Sequence, residues 1–176
     1  MELHRAILPT PLGDMLALSS DEGLCALEFK RPKQRLPRLE ARLARHFPPH
    51  AFVDADSETI ARTRTWLEQY FAGVSADVSA LRLDMHGAGF EKRVWRALLK
   101  ISPGETTSYG AIAKALGSPD AARAVGAANG ANPIAIIVPC HRVIGASGSL
   151  VGYGGGLETK TWLIDHERRW RSGSLF

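Results

Sequence analysis

Three short alternating runs open the chain. Leu3–Leu8, Met15–Ser19 and Leu24–Phe29 place apolar residues at every second position or nearly so, and turn-rich segments at Pro9–Asp14 and Ser20–Gly23 separate them. That pattern predicts a strand meander. The period then lengthens. Arg38–Phe47 fits a helix stopped by Pro48-Pro49, and Ser57 is suited to cap a second helix through Tyr70 and Phe71, with Gly73 ending it. Val74–Gly89 loses all periodicity and marks a linker. Beyond it Phe90, Val94, Leu98 and Ile101 share one helical face, with Trp95 beside them. Ser108–Leu116 predicts a helix stopped by Gly117, and Ser118-Pro119 predicts the start of another, Asp120–Asn129. A final helix is expected over Glu158–Arg171. The fold class is therefore α+β, with two domains, 1–85 and 86–176.

The two helices over Ser108–Asn129, joined by a short Gly-containing turn, suggest a helix-turn-helix. The second is unusual. Apart from Val125, it carries only small residues around one long side chain, Arg123. Small residues allow close approach to another surface. Tight internal packing with Arg123 at the rim explains the pattern slightly more simply.

Charge adds a direction. Residues 1–85 hold 11 Lys and Arg against 12 Asp and Glu, a net of −1; residues 86–176 hold 11 against 6, a net of +5. A basic second domain suits an anionic partner such as nucleic acid, and a solvated basic surface suits it as well. No stretch is apolar for long enough to cross a bilayer, and the N-terminus lacks the basic-then-apolar layout of a signal peptide. A cytoplasmic protein is expected.

The chemistry concentrates in Ile136–Gly145, I-I-V-P-C-H-R-V-I-G. Cys140 sits between Pro139 and His141. Two cysteines are too few for a disulfide framework, and the histidines lack zinc-ligand spacing. Cys25 lies in an alternating apolar strand and is expected in the core. For Cys140 the residues alone leave two readings level, a small buried hydrophobe or a nucleophile activated by His141. Neighbours on a strand face opposite ways, so contact between the two requires an irregular backbone or a bridging water. Glu158, Asp165 and Glu167 are the acidic candidates to orient His141. Leu150–Leu157 sets Tyr153 among four glycines, a loop able to approach a flat ligand closely or simply a hairpin tip.

Together these motifs carry a resemblance. V-P-C-H-R-V-I-G, preceded by A-A-R-A-V-G-A-A-N-G-A-N-P and followed by G-Y-G-G-G-L-E-T-K, resembles the O6-alkylguanine-DNA alkyltransferases of the bacterial Ogt type. The likeness runs from about Gly89 to Glu167, with a looser one before it. It implies an N-terminal ribonuclease H-like α/β domain with a small antiparallel sheet, and a mostly helical C-terminal domain whose helix-turn-helix enters the minor groove. It implies DNA repair by a methylated-DNA–protein-cysteine methyltransferase that extrudes the damaged base and keeps the alkyl group on its own cysteine, one event per molecule. O4-alkylthymine is an expected second substrate.

By the same resemblance Cys140 is the acceptor, His141 takes its proton through a water, and Glu167 orients His141. Tyr109 donates to guanine N3, and Asn132 is the hinge between the DNA-reading helix and the active segment. Val143 offers its carbonyl to the guanine amino group, Tyr153 covers the base, Gly154 offers an N–H to O6, and Lys160 lies near the pocket. Arg123 fills the vacated stack, with Ala122, Gly126 and Ala127 against DNA. Gly154 and Gly130 depart from members that carry serine and arginine there. No cofactor and no metal are expected, since only Cys25 matches the zinc ligands of some members. The partner is duplex DNA containing alkylated guanine, bound by a monomer able to assemble cooperatively. A damage-binding protein lacking the cysteine, a regulator with an added metal-cysteine domain and a turning-over cysteine hydrolase are the rivals.

Overall fold

The computed structural model describes residues 1–31 and 35–173. It divides into two compact units, one of residues 1–87 with 133–135, the other of residues 88–132 with 136–176.

The first unit is a four-stranded sheet with two helices. Strands β1 (Glu2–Leu8), β2 (Met15–Ser19) and β3 (Leu24–Phe29) form the expected antiparallel meander. Every residue of β3 is buried, so both of its faces are covered. Helix α1 (Arg35–His46) packs against β3, placing Leu39 and Leu43 in a cluster with Leu3, Leu18, Cys25 and Ala26. It begins three residues earlier than the pattern predicts, because Pro37 falls in its first turn, where no backbone N–H is needed. Helix α2 (Glu58–Phe71) runs as expected, with the Ser57 side chain accepting the Ile60 N–H at 3.1 Å.

One strand has no counterpart in the sequence pattern. Strand β4 (Ala51–Asp54) pairs parallel to β1, giving the order β3-β2-β1-β4 and a mixed rather than purely antiparallel sheet. Its side chains are largely exposed, so backbone pairing and the Arg5–Asp54 ion pair hold it, not apolar burial. At the other edge, β3 bonds to two passing segments. Leu24 bridges Leu83, and Leu27 bridges Ile134, with the Leu27 N–H on the Pro133 carbonyl at 2.9 Å. Pro133–Ala135 thus belongs to the first unit although it lies deep in the second half of the sequence.

The second unit contains helices α3 (Gly89–Leu98), α4 (Tyr109–Ala115), α5 (Ala122–Gly130) and α6 (Leu157–Arg171). A short parallel pair joins β5 (Thr107–Ser108) to β6 (Val143–Ile144). Helix α3 turns Val94, Trp95 and Leu98 inward, and the Trp95 indole N–H donates to the Ala128 carbonyl of α5 at 2.8 Å. Ser108 caps α4 through the Ala111 N–H, and Gly117, at φ 74°, ends it. Helix α5 starts two residues later than the Ser118-Pro119 signal predicts. Residues 118–121 form a turn instead, closed by the Ala121 N–H on the Ser118 carbonyl at 2.9 Å. No helix among the described residues is long and apolar enough to cross a membrane.

Candidate active site

The segment around Cys140 is not a strand. Pro139, at φ −83° and ψ 64°, is the centre of a three-residue turn in which the Cys140 N–H donates to the Val138 carbonyl at 2.8 Å. The fixed proline φ suits this geometry. Cys140–Arg142 then forms one 3-10 turn, with the Arg142 N–H on the Pro139 carbonyl. Just upstream, buried Ile136 stands at φ 69°, a strained conformation for a β-branched residue. It directly follows the Pro133–Ala135 segment. The irregular backbone that a cysteine-histidine pair requires is therefore present.

Two asparagines brace this segment, one in the last turn of helix α5 and one just past its end. Asn129 Nδ2 donates to the Cys140 carbonyl at 3.3 Å, and Asn132 Nδ2 donates to the Val138 carbonyl at 2.8 Å. Both asparagines are buried. The family resemblance points to Asn132 as a hinge; it does not point to Asn129, whose only signal in the sequence is its place one turn before Asn132.

Glu167, two turns along α6 from Lys160, receives hydrogen bonds on both carboxylate oxygens. Its Oε1 accepts from His141 Nε2 at 2.7 Å and from Arg142 Nη2 at 2.8 Å. Its Oε2 accepts from Arg142 Nε at 2.9 Å and from the Gly104 N–H at 3.0 Å. All three side chains are buried, His141 and Glu167 almost completely. Of the three downstream acids, the structure selects Glu167. Arg142 and Gly104 were missed. Arg142 sits in the quoted motif, and the signal was an arginine directly after the predicted base.

Burial disfavours the Glu167 charge, but His141 and Arg142 together outweigh it and hold the carboxyl well below the usual range. Burial also pushes the His141 imidazole below its ordinary value. Glu167 pulls it up, while the charges of Arg142 and Lys160 push it down. The imidazole at rest is neutral. It donates Nε2–H to Glu167, which leaves Nδ1 as the basic nitrogen. That atom is buried and has no hydrogen-bond partner among the described residues.

Lys160 is fully buried, and its ammonium donates to the carbonyls of Val143 at 2.6 Å, Val151 at 3.0 Å and Gly152 at 3.3 Å. Burial lowers its pKa and the Cys140 charge raises it, with a net lowering. Lys160 thus ties the glycine-rich loop to β6. The Tyr109 hydroxyl donates to the same Val151 carbonyl at 3.2 Å. Burial, then the Cys140 charge, raise the Tyr109 pKa, so the phenol stays protonated. Tyr153 stands edge-on to His141, ring centroids 6.4 Å apart, and Gly154 lies in a turn closed by the Gly156 N–H on the Tyr153 carbonyl.

Helix α5 has two faces. Val125, Ala128 and Asn129 are buried; Arg123, Ala124, Ala127 and Gly130 are exposed. The buried face packs internally, and Arg123 stands on the exposed one. Ala122 and Gly126 lie between, and a Cβ at Gly126 would be 3.8 Å from the Tyr109 ring, ordinary contact distance. Arg123 has no partner among the described residues.

Comparison with known proteins follows this geometry. Residues 3–85 match the ribonuclease-like domain of 6-O-methylguanine DNA methyltransferases, and residues 89–169 match the DNA-binding domain of the same proteins. The chain is 41% identical over 161 residues to the methylated-DNA–protein-cysteine methyltransferase of Salmonella typhimurium, covering 91% of this chain and 92% of that one. It is 60% identical over 127 residues to the protein so named in Mycolicibacterium paratuberculosis, 72% of each chain. The crystal structure of Mycobacterium tuberculosis OGT in complex with DNA aligns with a TM-score of 0.79 at 38% identity, over 100% of this chain and 99% of that one. The protein is a two-domain alkyl-transfer protein. It belongs to the 6-O-methylguanine DNA methyltransferase family, whose function is DNA repair by transfer of an alkyl group to a cysteine.

Proposed function

We propose that this chain repairs alkylated duplex DNA by moving the alkyl group from guanine O6 to Cys140, once per molecule. The observation that carries the reading is the buried relay beside Cys140, in which His141 gives Nε2–H to Glu167 and keeps Nδ1 basic.

The thiol proton passes through a water to His141 Nδ1, and the imidazolium is held by Glu167. The thiolate attacks the alkyl carbon. The S–C bond forms, the C–O6 bond breaks, and the electron pair passes into the guanine ring. Tyr109 gives up its bond to Val151 and donates at N3, neutralising the leaving base. Val143 accepts from the guanine amino group through its carbonyl, Gly154 donates to O6, Tyr153 covers the ring, and Lys160 holds the loop that carries them. The thioether is inert, so the protein is consumed. No cofactor enters any step.

The exposed face of α5 meets the minor groove, with Arg123 in the place of the extruded base and Ala122, Gly126 and Ala127 allowing close approach. The basic second domain, 86–176, binds DNA and carries the chemistry, and 1–85 supports it. The chain acts as a cytoplasmic monomer that assembles cooperatively on DNA, and O4-alkylthymine is a further substrate.

Excess O6-methylguanine duplex, with restored guanine counted over time, tests this. One guanine per protein followed by a plateau is expected. Continued turnover would mean a hydrolase, and binding without conversion a damage sensor.

A further inference from the structure

Glu167 has two partners that compete for its charge. Arg142 lays its planar fork across both carboxylate oxygens and donates its remaining arm to the Ile101 carbonyl. His141 shares only Oε1. We infer that Arg142 is a positioning residue that neutralises Glu167 in advance, so that His141 rests as an oriented, uncharged base for Cys140. This rests on the reading of His141 as that base.

The argument is one of charge and geometry. A buried carboxylate facing an imidazole alone draws a proton onto it, and an imidazolium cannot accept another from a thiol. With Arg142 in place the buried pair is neutral before His141 joins it. The carboxylate then acts on His141 mainly as a hydrogen-bond acceptor, fixing the Nε2–H tautomer. When the thiol proton arrives, the same carboxylate faces the new cation. The charges acting on His141 are Glu167 and Lys160 from α6 and Arg142 from its own turn, beside the Cys140 thiol. Both cations favour the neutral imidazole. A lysine could supply the charge of Arg142 but not the two-pronged grip that fixes the carboxylate plane.

The test compares the unmodified chain with Arg142→Met and Arg142→Lys, reading single-turnover transfer from O6-methylguanine duplex against pH. The imidazole nitrogen NMR shifts of His141 are followed without DNA. In Arg142→Met, protonation of His141 should move up by about 1–3 pH units, the usual effect of an unshared opposite charge. The acid limb of the rate profile should move with it, while duplex affinity stays unchanged. In Arg142→Lys the titration should stay close to that of the unmodified chain while the rate falls about tenfold through the lost fork. If Arg142→Met does not fold, Arg142→Lys carries the test, and full activity there overturns the inference. A rate that falls equally at every pH, with His141 protonation unmoved, also overturns it and leaves Arg142 structural. Full-rate transfer by His141→Gln would instead overturn the base reading beneath it.

Discussion

His141 and Glu167, 26 positions apart in sequence, meet at 2.7 Å with side chains 0% and 1% exposed. Removing the charge while keeping the shape tests how much the fold relies on this contact. Glu167→Gln leaves the Arg142 guanidinium buried without a counter-ion. A loss of about 3–5 kcal/mol is expected from breaking one side of a buried pair, read by denaturant unfolding. Methyl transfer should fall with it, about a hundredfold or more at a temperature where the variant is folded.

Acid should weaken the fold through the same residues. The Glu167 carboxyl titrates below its unfolded value, so its stabilisation is complete above the ordinary carboxylate range and is lost as pH falls through that range and below. His141 is held neutral, and below about pH 6.5 the unfolded chain binds a proton that the folded chain refuses. Both effects have the same sign. The melting temperature should decline from pH 7 to pH 5 and more steeply from pH 5 to pH 3, and the first decline should shrink in His141→Gln.

On the proposed function, Arg123 serves DNA handling and Cys140 the chemistry. Arg123 is exposed and unpartnered among the described residues, so Arg123→Ala should leave the melting temperature unchanged. It should slow transfer from methylated duplex at least tenfold while leaving transfer from free O6-benzylguanine close to normal. Equal loss on both substrates would place Arg123 in the chemistry instead.

Lys160 offers a second separation. Lys160→Met leaves the Val143, Val151 and Gly152 carbonyls without their shared donor. Hydrogen exchange over residues 145–156 should quicken, and the loop should become the first site of proteolysis. Tyr109 also loses its fixed acceptor if Val151 moves, so transfer should slow without any change at Cys140.

The two thiols should behave differently. Burial, moderated by a Ser20 hydrogen bond and reinforced by the Asp84 charge, pushes the Cys25 thiol up to about 12. Cys25 should resist iodoacetamide at pH 7.5 in the native protein and react only after unfolding. Cys25→Ala should still transfer the methyl group.

The elements visible in the sequence are those whose own residues specify them. Strands β1–β3 alternate, Ser57 and Ser108 cap, and Gly73 and Gly117 terminate. What was hidden is held by partners far along the chain. Strand β4 presents exposed side chains and exists because β1 lends it a backbone edge. Pro133–Ala135 joins the first unit through Leu27, which no local pattern reveals. The Ser118-Pro119 pair has the composition of a helix start but closes a turn. At the site, P-C-H-R located Cys140 and His141, yet proximity in sequence concealed that Arg142 and His141 converge on one carboxylate. That convergence depends on the 3-10 turn, which the Pro139 turn and Asn129 and Asn132 set in place.

The central claim is that Cys140 itself becomes the alkyl acceptor. The most direct measurement is peptide mass mapping of the chain after reaction with excess O6-methylguanine duplex, beside Cys140→Ala. One methyl group, confined to the peptide containing Cys140 and absent from the variant, is the predicted result. Guanine restored with Cys140 unmodified, or a methyl group on any other residue, would contradict it.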